Sequence, residues 1–326
     1  MVYSVIVPVY NRPDEIDELL ESLTQQSFKD FEVIIVEDGS EERCEEIIKN
    51  YHNRLSIRYY YKENSGQGFS RNYGFEKANG DYYVVFDSDC LIPPDYFEKV
   101  NQFLASNPVD CWGGPDKAHP SFTNVQKAIS YSMTSFLTTG GIRGRKKHLG
   151  TFHPRSFNMG ISKEVFEKTG GYKITRMGED IEFSIRILEN GFTSVLIPDA
   201  YVYHKRRTNL KQFYKQLHFF GRARINIHRF YPDELKAVHF FPVIFLIGIL
   251  VGLILIPLNF SLASVILGTY LIYGSLLFID SYKEQKSFKI SVLATYAGYI
   301  QLIAYAIGFL KELTVFNSKF ENKLVD

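Results

Sequence analysis

The sequence predicts an α/β domain followed by an amphipathic neck and transmembrane helices. Three observations carry this. Apolar runs of strand length alternate with helical segments over roughly the first quarter of the chain. Those strands are apolar almost without interruption, as in parallel sheets covered by helices on both faces. Beyond residue 240 charge then disappears in three successive stretches. The 326 residues, 45% hydrophobic, suffice for one sizeable soluble domain and something more. With 37 basic against 36 acidic side chains, a net charge of +1 gives no general pull toward nucleic acid, and none is expected as a partner. The three cysteines, Cys44, Cys90 and Cys111, lack a metal-type spacing and read as reduced thiols. The first residues, "MVYSVIVPVYNRPDE", have no basic n-region or cleavage site and read as a strand, not a signal peptide.

Residues 3–9 form a β-branched, apolar strand. In "NRPDEIDELLESLTQQ", Asn11 can cap a helix, Pro13 suits its first turn, and Asp14 and Glu15 suit its positive end. Ile16, Leu19, Leu20 and Leu23 make one apolar stripe. "FEVIIVEDGS" is the next strand and turn, "EERCEEIIKNYH" a helix, "LSIRYYYK" a strand, "GFSRNYGFEKANG" a helix and "DYYVVF" a strand. The polar clusters Tyr10–Arg12, Glu37–Ser40 and Asp87–Asp89 then fall at carboxyl ends of strands, where such sheets gather ligands. The pattern afterwards becomes mixed. "IPPDYFEKVNQFLASNP" reads as a helix and "SFNMGISKEVFEKTGGY" as a strand and short helix. "GEDIEFSIRILENGF" is a helix stopped by Gly191, and "SVLIP" a last strand.

The neck, "YHKRRTNLKQFYKQLHFFGRARINIHRFYP" (203–232), holds eight Lys or Arg and no acid. Leu210, Phe213, Tyr214 and Leu217 form a helical stripe, which predicts an interfacial helix against anionic head groups. It can instead be a charged helix covering the soluble domain, or one using Arg222 and Arg224 to bind an acceptor diphosphate. Residues 240–258, 260–279 and 290–310 carry no charge, and each is long enough to cross about 30 Å of hydrocarbon at about 1.5 Å per residue. The expected division is therefore a domain at 1–205, the basic neck at 206–236, transmembrane helices at 237–312 and a tail at 313–326. Lys283, Lys286 and Lys289 favour the cytoplasmic side, with a tight turn at Leu258–Ser261 on the far side. Three full spans would put the tail outside, so the third segment can also re-enter or lie along the surface. These readings predict a multi-pass protein of the cell (inner, cytoplasmic) membrane with its soluble domain in the cytosol.

On an extended chain, side chains two apart face the same way, so Asp87 and Asp89 can meet one ligand. A hard divalent cation bound to phosphate oxygens would relieve their repulsion. A solvated turn is the alternative.

At these residues the chain resembles the inverting family-2 glycosyltransferases, which have the GT-A fold, over roughly residues 2–230. The opening "SVIVPVYNRPDEIDELLESLTQQSFKDFEVIIVEDGS", then "NSGQGFSRNYGFEKANGDYYVVFDSD", then "FNMGISKEVFEKTGGY" and "GEDIEFSIRILENGF" stand in that family's order. The resemblance implies a metal-dependent transferase (Mn2+ or Mg2+) with a nucleotide-sugar donor and a membrane-proximal, lipid-linked or glycan acceptor. Pro8, Tyr10 and Arg12 would border the nucleotide, and Asp38 would meet the base. A carboxylate only accepts hydrogen bonds, whereas uracil, thymine and guanine present a ring N–H. This favours a UDP-sugar, or else a dTDP- or GDP-sugar, unless Asp38 merely makes the Asp-Gly turn. Gly66 and Gly68 would let the backbone approach the ligand, with Arg71 reaching a ribose or diphosphate oxygen. Asp87, Ser88 and Asp89 would hold donor and metal, with His204 as a further metal contact. Asp180 would be the general base and Glu179 a hydrogen-bond partner of sugar hydroxyls. Asn158 and Gly160 would line the sugar pocket. Glu37 receives no role. The chain lacks the Gln-x-x-Arg-Trp box of processive synthases, its one tryptophan being Trp112. Two alternatives remain: transfer to polyprenyl phosphate, and a catalytically silent nucleotide-binding scaffold.

Overall fold

The computed structural model describes residues 2–140 and 152–315, so most of the expected tail lies outside the described residues. The chain divides into two compact units, one of residues 2–119 and 152–205, the other of residues 120–140 and 206–315.

The first unit opens with β1 (Tyr3–Val9), α1 (Pro13–Thr24), β2 (Phe31–Asp38), α2 (Glu45–Lys49), β3 (Ile57–Lys62), α3 (Gln67–Lys77) and β4 (Tyr82–Phe86). As expected, α1 buries Ile16, Leu19, Leu20 and Leu23. α2 is shorter than "EERCEEIIKNYH" suggests, because Ile48 is its one buried residue and little packing holds a longer helix. β1 pairs in parallel with both β2 and β4, and β2 with β3. The side chains of β1 and β2 alternate between two cores. Val5, Val7, Val33 and Ile35 pack with α1, while Ile6, Ile34 and Val36 pack with Phe75 of α3. Burial on both faces explains the uninterrupted apolar strands.

Then come β5 (Cys90–Leu91), α4 (Tyr96–Ser106), β6 (Cys111–Gly113) and β7 (Asp116–Lys117), followed by α5 (Asn124–Thr134) and α6 (Phe136–Thr139), which belong to the second unit. The first unit resumes with β8 (Asn158–Ser162), α7 (Lys163–Thr169), α8 (Glu179–Glu189), β9 (Ser194–Leu196) and β10 (Val202–His204). The main sheet runs β3-β2-β1-β4-β8-β6-β9, and a small one runs β5-β10-β7. β8 lies antiparallel to both β4 and β6, which makes the sheet mixed.

Gly160 sits on β8 opposite Val84 and Trp112, and a Cβ there would lie 2.1 Å from the indole ring. The fully buried Trp112 packs in turn against Tyr82, 5.1 Å between centroids. The missing side chain of Gly160 is the space Trp112 fills.

The second unit contains α5, α6, α9 (Leu210–Phe230), α10 (Phe241–Leu255), α11 (Phe260–Gln285) and α12 (Phe288–Thr314). Among the described residues, three segments are long and apolar enough to cross a membrane: Ala237–Leu255, Phe260–Gln285 and Phe288–Thr314. The neck helix α9 packs along α12. Phe213 and Leu217, expected to face lipid, are buried in a cluster with Ala297 and Ala304, because a longer apolar partner is available within the protein. The two backbones touch where side chains are missing: a Cβ on Gly221 would lie 2.1 Å from the Tyr305 carbonyl oxygen, and one on Gly308 1.9 Å from that of His218. Arg222, considered as a diphosphate ligand, is instead 2.7 Å from the fully buried Glu312, whose other oxygen is 3.0 Å from Arg229.

Replacing Gly160 by alanine forces the indole to move. The expected cost is about 1–3 kcal/mol, the usual range for overpacking, read as a lower midpoint in thermal unfolding of the purified protein.

Candidate functional site

The carboxyl ends of β1 and β2 are tied together by Asn11. Its backbone is left-handed, φ 51°. Its N–H donates to the Ser40 hydroxyl at 2.8 Å, and its side-chain oxygen accepts from the N–H groups of Glu41 and Glu42 at 2.8 and 3.2 Å. It therefore does not cap α1; Arg12 holds that position and pairs with Glu15. Pro8 is half-buried and Tyr10 exposed at this edge.

Asp38 is nearly buried and accepts three hydrogen bonds, from the Lys62 ammonium and from the N–H groups of Ser65 and Gly66, the last two at 2.9 Å. Burial alone would raise its carboxyl, but the Lys62 ammonium and the Ser65 N–H hold it below the ordinary range. The carboxylate thus fixes the loop that starts α3. Gly66 (φ 90°) and Gly68 bring that loop against residues 174–175 of the same chain: added Cβ atoms would lie 2.2 Å from the Thr175 hydroxyl and 2.6 Å from the Ile174 carbonyl oxygen. Glu37 is structural, accepting from the Cys44 N–H at 2.8 Å, the Cys44 thiol at 3.1 Å and the Tyr59 hydroxyl at 3.0 Å.

Arg71 lies where the carboxylates of Asp87 and Glu179 meet. It is buried and does not reach outward. Nη2 is 2.9 Å from Asp87 Oδ1, Nη1 is 3.2 Å from Glu179 Oε1, and the guanidinium lies 5.4 Å from the Tyr172 ring centre. Gln67, one turn earlier, also donates to Glu179. One cation in α3 therefore joins the end of β4 to the start of α8.

Asp87 and Asp89 do not stand on an extended chain. The Cys90 N–H donates to the Asp87 carbonyl at 3.1 Å and closes a turn, so the expectation of two parallel side chains fails for a local reason. Asp87 meets Arg71, and Asp89 meets His204, Oδ1 to Nε2 3.0 Å. Ser88 between them is buried. The antiparallel pairing of β10 with β5 sets His204 opposite Cys90, and the Lys205 N–H donates to the Asp89 carbonyl at 2.9 Å. Phe157 stacks on the imidazole at 4.8 Å.

Ligand atoms of Asp89, Cys90 and His204 lie within 4.8 Å of one another. Burial pushes the Cys90 thiol well above its ordinary range, and its sulfur lies 3.5 Å from the Phe157 carbonyl oxygen. A protonated thiol is no ligand for a hard cation. A carboxylate oxygen beside an imidazole nitrogen does fit a divalent cation, Mn2+ better than Mg2+.

α8 starts behind two successive left-handed residues, Met177 (φ 61°) and Gly178 (φ 101°). Only glycine adopts this conformation without strain, so the non-glycine Met177 marks a held position. Burial raises the Glu179 carboxyl, adjacent Asp180 raises it further, and Arg71 offsets part of the rise. Asp180 is less buried. One oxygen accepts from the Ile181 N–H at 2.9 Å and the other is 3.4 Å from Arg155 Nη1.

Asn158 is fully buried; its oxygen accepts from the Tyr96 hydroxyl at 2.6 Å and its nitrogen donates to the Ala200 carbonyl at 2.8 Å. It cross-links the core. Sequence reasoning passes over Gln67 and Arg155 and reads Asn11 as a helix cap. Gln67, inside the glycine loop, was open to suspicion; Arg155, in an irregular segment, gives no periodic signal.

Residues 4–170 match the family described as Glycosyl transferase family 2. An uncharacterized glycosyltransferase of Haemophilus influenzae is 33% identical over 219 residues, 64% of this chain and 70% of the relative. The uncharacterized glycosyltransferase EpsJ of Bacillus subtilis is 34% identical over 111 residues, 34% of this chain and 32% of its own length. Among solved structures, the mannosyltransferase PcManGT of Pyrobaculum calidifontis, in complex with GDP-Man and Mn2+, aligns with a TM-score of 0.60 at 18% identity, over 97% of this chain and 88% of its own. S. aureus TarS 1-349 in complex with UDP-GlcNAc aligns at 0.50 and 20% identity, over 95% and 91%. These likenesses show a GT-A fold.

Arg71→Met leaves Glu179 buried without its cation. The expected loss is about 3–5 kcal/mol of stability at neutral pH, as for one partner removed from a buried pair. Because the remaining carboxyl can take up a proton, the loss shrinks as pH falls, measurable in denaturant titrations at two pH values.

Proposed function

The chain belongs to glycosyl transferase family 2, and on that premise we propose that it is a membrane-anchored, inverting glycosyltransferase. It moves a sugar from a nucleoside-diphosphate sugar, UDP-linked by preference, to a hydroxyl of a membrane-proximal, lipid-linked glycan. The observation that carries this reading is the Arg71 junction: it unites the Asp87 turn, expected to meet the donor, with the start of α8, where Asp180 stands beside Glu179.

Asp180 acts as general base. One oxygen is oriented by the Ile181 N–H, and the other, near Arg155, takes the acceptor proton as the hydroxyl oxygen attacks the anomeric carbon. The carbon–oxygen bond to the diphosphate breaks on the opposite side, which inverts the configuration. Glu179, held by Arg71 and Gln67, orients sugar hydroxyls. Asp38, held in place by Lys62, Ser65 and Gly66, accepts a ring N–H of uracil or guanine. GDP-Man and UDP-GlcNAc, present in the two solved structures, both carry such a base. Asp89 and His204 would hold Mn2+ or Mg2+, which when bound offsets charge on the departing diphosphate. Lys283, Lys286 and Lys289 favour the cytosolic side of the cell membrane for the catalytic unit.

Asp180→Asn is expected to lower turnover by about 10²–10⁴-fold while donor affinity stays unchanged, the usual share of a positioned base. Transfer assays alongside donor titration check this; undiminished turnover removes Asp180 from the role. His204→Ala is expected to weaken donor binding in Mn2+ at least about tenfold and to leave metal-free binding as it was. Calorimetric titration with and without a chelator measures both, and equal loss in the two conditions excludes His204 as a ligand.

A further inference from the structure

The segments Ala237–Leu255, Phe260–Gln285 and Phe288–Thr314, which contain α10, α11 and α12, are each long and apolar enough to span a membrane, yet their packing does not suit three spans. A third span antiparallel to α11 would carry the end of α12 to the tip of the α10–α11 hairpin, near residues 256–259. Instead the Phe309 ring lies 5.3 Å from Phe240, at the opposite end of α10. Phe309 and Ala306 also form one cluster with Val243 and Ile225. From Val243 to Leu255, α10 continues for about 18 Å. The first half of α12 likewise meets the base of the hairpin: Ile290 and Ala294 cluster with Leu277, a Cβ on Gly298 would lie 2.7 Å from the Leu277 side chain, and the Tyr299 hydroxyl donates to the Tyr270 carbonyl. At the tip, Leu258, Phe260 and Val265 stay 74%, 71% and 67% exposed.

α9 supplies an independent argument. It lies alongside α12 in the same direction, from Phe213 beside Ala297 and Ala304 to Arg229 on Glu312. It carries Lys211, Lys215, Arg222, Arg224 and Arg229, and Lys211 and Lys215 are exposed. A spanning α12 would take this helix through hydrocarbon with it, where charged side chains are strongly disfavoured. The exposed large apolar residues of α12, Phe288, Tyr296, Ile307, Leu310 and Leu313, fall within about 120° of its circumference at 100° per residue. That arc is the part of α12 that the protein leaves uncovered.

We propose that α10 and α11 alone cross the bilayer, and that α12 lies along the surface from which α10 departs. The chain then returns to the side it came from, and α12, about 40 Å long, forms with α9 a platform flat on the head groups. The lipid surface touched is that of Tyr296, Ile307 and Leu310.

Cysteine labelling tests this independently of the enzymatic reading, because it needs no substrate. Cys44, Cys90 and Cys111 are all buried, so the folded protein gives little background to a membrane-impermeant maleimide. Single variants Lys211→Cys, Leu258→Cys and Lys311→Cys of the full chain are labelled in vesicles of both orientations. Lys211→Cys and Lys311→Cys should react from one face and Leu258→Cys from the other, each at least tenfold faster than from its opposite face. Lys311→Cys reacting with Leu258→Cys makes α12 a third span and overturns the proposal. So does Leu258→Cys reacting from the face of Lys211→Cys, since the hairpin then does not cross. Should a variant fail to insert, Lys215→Cys or Asn259→Cys reports the same faces.

Discussion

A guanidinium taken out of water needs anionic partners, and in the catalytic unit this need organises the site. Arg71 is 2% exposed and satisfies itself on Asp87 at the end of one strand and Glu179 at the start of a distant helix. Breaking such a pair leaves a buried charge alone, so the three segments are held to one arrangement. The position of Arg71 is set in turn by the loop before α3, which Asp38 grips through two backbone N–H groups and Gly66 and Gly68 press against residues 174–175. The carboxylates of Asp87 and Glu179 are therefore mechanically linked through the core.

The same rule recurs in the helical unit. Glu312, fully buried, is matched by Arg222 and Arg229. Tyr131 donates to Asp280 at 2.6 Å, and Ser132 to Gln301 at 2.9 Å. These pairs account for the lower apolarity of α12 compared with α10. A helix half covered by protein can carry Gln301 and Glu312, because their partners come from α5 and α9 and not from lipid. The small residues at Gly221 and Gly308 then allow the close approach that covers it.

Much of this architecture is legible in the sequence, since periodicity reports burial directly. The stripe of α1, the doubly buried strands and the three apolar segments all follow from it. Partners are another matter. The antiparallel place of β8 between β4 and β6 depends on contacts distant in sequence, and nothing local in "SFNMGIS" fixes them. Asp87-Ser88-Asp89 reads as a strand continuing outward until the Cys90 N–H folds it into a turn. Asn11 looks like a helix cap and serves a neighbouring loop; Asn158 looks like a pocket residue and serves Tyr96 and Ala200. Phe213 and Leu217 announce an apolar face correctly, but that face meets α12 and not lipid. In each case the residue type was informative and the choice between partners was tertiary.

The most direct test of the Arg71 linkage is a double-mutant cycle on transfer kcat/KM, with Asp87→Asn and Glu179→Gln made singly and together, first with Arg71 present and then in Arg71→Met. A shared guanidinium predicts a coupling of about 1–3 kcal/mol in the first background and near zero in the second. Additivity within about 0.5 kcal/mol while Arg71 is present would mean that the two carboxylates act independently, and would contradict the account.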